Sequence, residues 1–184
     1  MKNVESILLG GGSFWITEAV FKNLHGILRV TPGFAGGTVD NPLYREVCSG
    51  QTAHAEVVQI YYDPKLIDLQ SLLAIFFDMH NPTLANAQGV EKGSQYRSYI
   101  GCSSIQKAKI VQDYINNLSE NNIFPSAICT QVEMNNTFFE AEYFHHNYYE
   151  IHRALPYSTQ LIFPLVNRVE AKYKDYYTTP LLAS

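Results

Sequence analysis

Short apolar runs of strand length alternate along this chain with apolar residues at helical spacing, and that alternation limits it to a mixed architecture of sheet and helix. Ser6 to Leu9 reads as a short strand that runs into Gly10-Gly11-Gly12. A helix is expected from about Phe14 to Leu24, because Ile16, Ala19, Val20 and Leu24 fall on one face. Leu28 to Phe34 reads as a strand that Pro32 makes an edge or a bent one. Ala55 to Tyr62 is the strongest strand, ended by Asp63-Pro64. A helix from about Asp68 to His80 places Leu69, Leu72, Leu73 and Phe76 inward, and a long loop follows from Asn81 to Gln95. Tyr96 to Cys102 is a strand, Ser104 to about Asn121 a helix and Ile128 to Met134 a strand. Glu142 to His152 and Val166 to Tyr176 read as helices, with a tail to Ser184 that reads as a frayed end.

The order βαββαβ, followed by αβ and an extension from about residue 155, predicts an α+β two-layer sandwich of ferredoxin-like type. Its helices would pack on a mixed or antiparallel sheet; a doubly wound parallel sheet is the competing topology. The 184 residues suit one domain, with no composition shift or internal repeat to mark a second.

Composition narrows the function classes. A net charge of −4 argues against a nucleic-acid footprint. No apolar run approaches the about 18 residues of a membrane span, and the first residues lack the pattern of a secretory signal, so a cytoplasmic protein is expected. Three cysteines, Cys48, Cys102 and Cys129, are widely spaced with no CxxC, which excludes a disulfide scaffold or a cysteine-based zinc site. Cys102 and Cys129 sit in strand-like apolar settings and are expected to be buried and inert, and Cys48 to be incidental.

The glycine run before Ser13 forms a strand-to-helix turn, with Ser13 as N-cap and the first helical amides free to favour an anion or a thiolate. No Lys follows to make a phosphate loop, and Trp15 stands where a dinucleotide fingerprint needs its third glycine. Gly11-Gly12-Ser13-Phe14-Trp15 also lacks the second glycine of a hydrolase elbow. His145, His146, Glu150 and His152 raise a metal reading, since His146 and Glu150 would share a helix face, but HExxH is absent and no metal is expected. His54 reads as a structural hydrogen-bonder and Arg97 as a loop anchor.

Several segments together resemble one family. Gly12-Ser13-Phe14-Trp15 resembles the Gly-Cys-Phe-Trp motif of the A-type peptide methionine sulfoxide reductases. Gly33-Phe34-Ala35-Gly36-Gly37, the run from Asn41 to Gly50, and His54-Ala55-Glu56 resemble its next blocks. His80-Asn81-Pro82-Thr83 is similar to its His-Asp-Pro-Thr and Gly93 to Ser98 to its Gly-Thr-Gln-Tyr-Arg-Ser, so the resemblance runs in order from about Ile7 to Tyr173.

The resemblance implies reduction of methionine S-sulfoxide, free or in proteins, by a cysteine that becomes a sulfenic acid while methionine leaves. No bound cofactor is implied; an external thiol such as thioredoxin would recycle the enzyme. It places the nucleophile at Ser13, the catalytic acid at Glu56 and the sulfoxide-oxygen donors at Tyr44 and Tyr96. Glu91 falls where the family commonly has Asp, and Phe14 and Trp15 form the wall for the methyl group. Burial in its strand should keep Glu56 protonated, able to donate to the departing oxygen. Leu155-Pro156-Tyr157-Ser158 resembles the family's Pro-Tyr-Cys, which makes Ser158 the resolving position, and Tyr143 to His146 resembles its Asp-Tyr-His-Gln segment, which helps close the pocket.

The chain departs from the pattern where sulfur is expected. Ser13 and Ser158 both carry oxygen, Ile16 replaces a usual Gly and Asn81 a usual Asp. A serine hydroxyl lacks the nucleophilicity and acidity of a thiol, so the chain as written is expected not to turn over. It is read either as a reductase in which serine has been substituted for the nucleophilic cysteine, or as a natural binder or sensor of methionine sulfoxide.

Overall fold

The structure, a computed structural model, describes residues 4–134 and 137–177. In chain order its helices and strands are β1 (Glu5–Gly10), α1 (Phe14–Phe21), β2 (Ile27–Ala35), α2 (Tyr44–Cys48), β3 (Ala55–Tyr62), α3 (Leu69–Met79), β4 (Ala87–Gln88), β5 (Glu91–Lys92), β6 (Tyr99–Cys102), α4 (Ile105–Glu120), β7 (Gln131–Met134), β8 (Phe139–Glu140), α5 (Tyr148–Ile151) and α6 (Phe163–Lys172).

The two most apolar strands lie beside each other near the middle of the sheet, whose order is β7-β6-β1-β3-β2-β8. β1 pairs antiparallel with β3, Leu9 opposite Val58, and with β6, Leu9 opposite Ile100. β2 pairs antiparallel with β3, whereas β6 and β7 run parallel. The inner four strands and helices α1 and α3 therefore give the antiparallel βαββαβ sandwich expected from the sequence, and the doubly wound parallel alternative is excluded. Side chains alternate across the sheet. Ile7, Leu9, Val58, Ile60, Tyr62 and Ile100 face the helices, where Val20, Leu72, Phe76, Val111 and Val166 complete the core. Leu8, Ala35, Ala55, Val57 and Tyr99 form a small cluster on the other face, covered in part by Phe138.

Several boundaries differ from expectation for local reasons. α1 stops at Phe21, not Leu24: the amide of Leu24 bonds Phe21 in a tightened turn, and Gly26 follows at a φ of +91°. β2 is not itself an edge strand, but β8 covers it only at Gly33 and Phe34, so Pro32 lies in a nearly uncovered strand. The loop before Tyr96 contains the small hairpin β4–β5, and Tyr96 ends a 3-10 turn (Ser94–Tyr96) ahead of β6. β7 begins at Gln131, later than expected, and α2 is a short helix in a segment that reads only as a loop.

The helix expected from Glu142 to His152 is broken in two. His146 turns extended and Asn147 takes a left-handed conformation, φ +55°, between a 3-10 turn (Tyr143–His145) and α5. The last helix starts earlier than Val166, at Phe163, behind a wide π-type turn (Ser158–Ile162). The segment after residue 155 is thus part of the core, with Ser158, Ile162, Val166 and Val169 buried. Tyr176 and Tyr177 are tied down rather than frayed, the Tyr176 carbonyl accepting from the His25 amide and Tyr177 bridging Leu24. The rest of the expected tail lies outside the described residues.

Gly10 sets how closely β1 approaches β3 at the site. A Cβ there would lie 2.6 Å from the carbonyl oxygen of Glu56. Gly10→Ala is expected to destabilise the fold by about 1–3 kcal/mol, as overpacking against backbone does, read from the urea midpoint. An unchanged midpoint would contradict this packing.

Candidate active site

The site is built at the end of β1, where three glycines let the chain turn into α1. Gly11 packs so closely that a Cβ would lie 2.9 Å from the His80 ring, and Gly12 adopts a φ of +96°. The Gly12 amide is fixed by the Tyr96 carbonyl at 3.2 Å. Ser13 then caps α1, its Oγ accepting from the Trp15 amide at 3.3 Å. The amides of Ser13 and Phe14, at the same helix end, reach carboxyl groups from distant parts of the chain. Ser13 N donates to Glu91 Oε2 at 3.0 Å, and Phe14 N donates to Glu56 Oε2 at 3.1 Å. The anion-favouring turn read from the sequence is thus occupied by the chain's own acidic side chains.

Burial governs the acidity of these groups. Glu56 is 0% exposed, on the central strand β3. Its pKa is pushed up to about 8, chiefly by burial and further by the charge of Glu91, against the Phe14 amide and the Ser13 hydroxyl, which lower it. Burial likewise raises Glu91, opposed by the Tyr157 hydroxyl and the Ser13 amide. Glu56 Oε2 accepts from Phe14, and Oε1 has no hydrogen-bond partner among the described residues. The proton held near neutral pH therefore belongs on Oε1, where it can be given to a ligand. Burial also raises the phenols of Tyr44 and Tyr96, the latter to about 12, and the Glu56 charge adds to both shifts. Both phenols remain hydrogen-bond donors over the physiological range.

An aromatic wall stands beside this acid. Phe14 is fully buried and stacks on Tyr44 with ring centroids 5.8 Å apart. Trp15 lies 5.9 Å from Tyr44 and stacks on Tyr148 at 3.8 Å. The expected residues Ser13, Phe14, Trp15, Tyr44, Glu56, Glu91 and Tyr96 are therefore assembled in one place, and the longer arm of Glu91 still reaches the Ser13 amide.

Three further residues belong to the assembly. Tyr157 donates to Glu91, stands edge-on to Trp15 at 5.5 Å, and feels the Ser13 hydroxyl. His145 packs 4.2 Å from Tyr44 and 5.5 Å from Phe14. Glu142 accepts the Tyr44 amide at 3.1 Å and so fixes that ring's backbone. In the sequence Tyr157 stands out only as a neighbour of Ser158, and His145 only within a resembling segment; neither carries a local pattern that marks it.

Other expectations resolve as follows. His54 is held between the Gly37 amide and the Val39 carbonyl, and Arg97 clamps the carbonyls of Ser94, Gly36 and Ala53. His146 and Glu150 do not share a helix face, because the chain breaks at Asn147, and no group of metal-binding side chains occurs among the described residues. Cys102 is buried, but Cys129 is exposed, because β7 starts only after it. Cys48 is exposed at the end of α2, four residues after Tyr44. Ser158 is 0% exposed in a helical turn, with its Oγ unpartnered among the described residues.

The raised Glu56 pKa makes stability depend on pH. An unfolded glutamate titrates near 4.5 and the folded one near 8. Between these values the folded chain binds more protons than the unfolded chain, so the contribution is full below the lower value and is lost as pH rises through the upper one. Glu91 acts in the same direction. The urea midpoint is expected to fall from about pH 5 to about pH 8, and Glu56→Gln, which keeps the shape without the titration, to make that fall shallower. An identical slope in the variant would show that Glu56 does not titrate there.

Comparison with known proteins agrees with this geometry. Residues 5–177 match the family described as "Peptide methionine sulfoxide reductase". The chain is 44% identical over 172 residues to the peptide methionine sulfoxide reductase MsrA of Sulfolobus acidocaldarius, covering 94% of this chain and 97% of that one. It superposes on Saccharomyces cerevisiae Mxr1 in its reduced form with a TM-score of 0.77 and 31% identity, over 83% of this chain and 87% of the other. The structure of the same yeast protein in complex with Trx2 matches at a TM-score of 0.55 and 26% identity, over 76% and 81%. The chain belongs to the peptide methionine sulfoxide reductase family.

Proposed function

We propose that this site is that of a thiol-dependent peptide-methionine (S)-S-oxide reductase of the A type, halted at its first chemical step by oxygen at position 13. The observation that carries the reading is Glu56: a fully buried, protonated carboxyl beside Ser13 whose Oε1 has no partner among the described residues. Such a group suits an acceptor that enters with the ligand, and a sulfoxide oxygen is one. Tyr44 and Tyr96 supply further donors to that oxygen. Phe14 and Trp15 offer the thioether methyl an apolar wall. Glu91 holds the Ser13 amide and so fixes the position from which the attack is made.

With a thiol at position 13 the reaction balances without a cofactor. The sulfur gives up its proton and attacks the sulfoxide sulfur, forming an S–S bond while the S–O bond breaks and the oxygen leaves as water with that proton and the proton of Glu56. Water then attacks the position-13 sulfur, the S–S bond breaks with its electron pair going to methionine, and a proton returns to Glu56. The products are a sulfenic acid and methionine, and an external dithiol then returns the sulfenic acid to thiol and water. With serine the corresponding oxygen transfer would create an O–O bond on an alcohol, which is strongly uphill, and an alcohol is a weak nucleophile unless a neighbouring base activates it. A thioredoxin-class reductant and a cytoplasmic setting, where thiols are kept reduced, go with the reductase. Ser158, at the resolving position, has no sulfur to form a disulfide, so the reductant would act on position 13 directly. The pocket left intact around Ser13 also favours a second reading, that the chain binds methionine sulfoxide without reducing it.

Ser13→Cys, assayed with a methionine S-sulfoxide peptide and dithiothreitol, is expected to exceed the unsubstituted chain by at least about 10³-fold, in line with the cost of losing a nucleophile elsewhere. Adding Glu56→Gln to Ser13→Cys should lower kcat by about 10²–10⁴. No turnover by Ser13→Cys, with sulfoxide binding retained in calorimetry, would favour the binder; fast turnover by the unsubstituted chain would overturn the assigned role of position 13.

A further inference from the structure

One buried acid on α1 takes no part in the proposed chemistry. Glu18 is 2% exposed, one turn beyond Phe14 on the helix whose first turn carries Phe14 and Trp15. A carboxyl is costly to bury unless its oxygens are engaged, and the inward face of a helix is ordinarily apolar. Glu18 Oε1 accepts the Asn147 amide at 3.0 Å, from 129 residues away in the chain. Burial raises the Glu18 pKa, opposed by that amide and by the Lys22 charge. Asn147 is the bend itself: it takes a φ of +55° between the 3-10 turn Tyr143–His145 and α5. Lys22, just past the end of α1, bonds the Asn147 side chain and pairs with Glu150 at 3.3 Å. On either side of the bend a ring is set against the pocket. His145 packs 4.2 Å from Tyr44 and 5.7 Å from Trp15, and Tyr148 stacks on Trp15 at 3.8 Å with the ring planes 11° apart. Glu142, at the start of the same segment, holds the Tyr44 amide.

We propose that Glu18 is a positioning residue for the pocket: its carboxyl oxygen fixes the bend at Asn147, and that bend seats His145 against Tyr44 and Tyr148 against Trp15. Glu18 acts through Asn147 and not on the reacting atoms. Acceptor and stacked ring ride on one helix, since Trp15 and Glu18 are three residues apart on α1, so the bond and the stack are set together. Losing the acceptor would leave a buried amide unpaired at the bend, which a chain relieves by moving the segment. The consequence for substrate rests on the reading of the pocket as a methionine sulfoxide site. There Tyr44 is a donor to the sulfoxide oxygen and Trp15 a wall for the methyl group, and the rings that brace them set how firmly the ligand is held. The role needs an oxygen at the right reach, not a charge, so an amide of the same length can fill it.

Trp15 is the chain's one tryptophan, so its fluorescence reads this seat directly in the unsubstituted chain. Glu18→Asp keeps the acid but draws its oxygen back by one carbon, and Glu18→Ala removes it. Both are expected to raise acrylamide quenching of Trp15 by about twofold as the stack with Tyr148 loosens, and Glu18→Gln to hold it at the parent value. Where Glu18→Ala fails to fold, the closely matched Asp and Gln variants carry the test. Tyr148→Ala should raise quenching by itself, and adding Glu18→Asp to it should change little further, because the two act through one contact. In the Ser13→Cys chain, Glu18→Asp should lower kcat/KM for a methionine S-sulfoxide peptide by about tenfold, mainly through KM, as loss of binding shared by ground and transition states does. Glu18→Gln should rescue it. Parent-like quenching in both Glu18→Asp and Glu18→Ala, a Gln variant as impaired as the Asp variant, or full additivity with Tyr148→Ala would overturn the proposal. A changed Trp15 signal with kcat/KM intact would overturn the role toward the substrate. Should Ser13→Cys show no turnover, the quenching series still decides the role of Glu18, so that role can stand where the reductase reading falls, and the reverse.

Discussion

The first turn of α1 is the contact on which the rest of the site depends. Two neighbouring amides, of Ser13 and Phe14, hold two carboxyl groups from positions 78 and 42 residues away in sequence. One arrangement does several things at once. It satisfies donors that a helix N-terminus would otherwise leave open, it ties the β4–β5 hairpin and strand β3 to α1, and it fixes both acids beside position 13. Burial keeps Glu56 protonated, so the helix end does not meet a full charge there. The neutral acid is favoured because its surroundings are apolar, and they are apolar because Phe14, Trp15, Tyr44 and Tyr148 stack into one wall beside it.

The sandwich makes that contact possible. Glycines at the end of β1 let α1 start directly over the sheet, with β3 and β6 on either side of β1. Glu56 then comes from one neighbouring strand and Tyr96 from the turn entering the other. Tyr44, His145 and Tyr157 come from segments added to the βαββαβ core, on the side where α1 begins. The scaffold supplies the acid, the fixed amides and, through Phe14 and Trp15 on α1, part of the aromatic wall, and the additions supply the rest of it.

What can be read from the letters follows the same division. The β/α alternation, Ser13 as cap, and the inner four strands are legible because each is a local signal: period, glycine, or a run of β-branched residues. The continuous helix expected from Glu142 to His152 fails because its apolar spacing is helical, while the backbone is decided by Asn147, which takes a left-handed turn so that its amide reaches Glu18. α6 is expected too late in the chain because Ser158–Ile162 adopts a wide turn that no simple period encodes. The site residues come from ordered motifs, not from periodicity. Tyr157 and His145 act through contacts with Glu91 and Tyr44, which lie far away along the chain, and a local reading cannot see such pairs.

Position 13 is where structure and chemistry part. As an N-cap, serine suits α1 well, since its oxygen accepts the Trp15 amide and serine is among the favoured capping residues. The pocket is held by backbone amides, carboxyls and stacked rings, and the side chain at position 13 adds only its cap and its proximity to Glu56 and Tyr157. With serine there, Glu56, Glu91 and the rings of Phe14, Trp15 and Tyr44 are assembled around position 13. The contacts that assemble these groups run through backbone amides, carboxyls and stacked rings, so the side chain at position 13 can be serine without disturbing their arrangement.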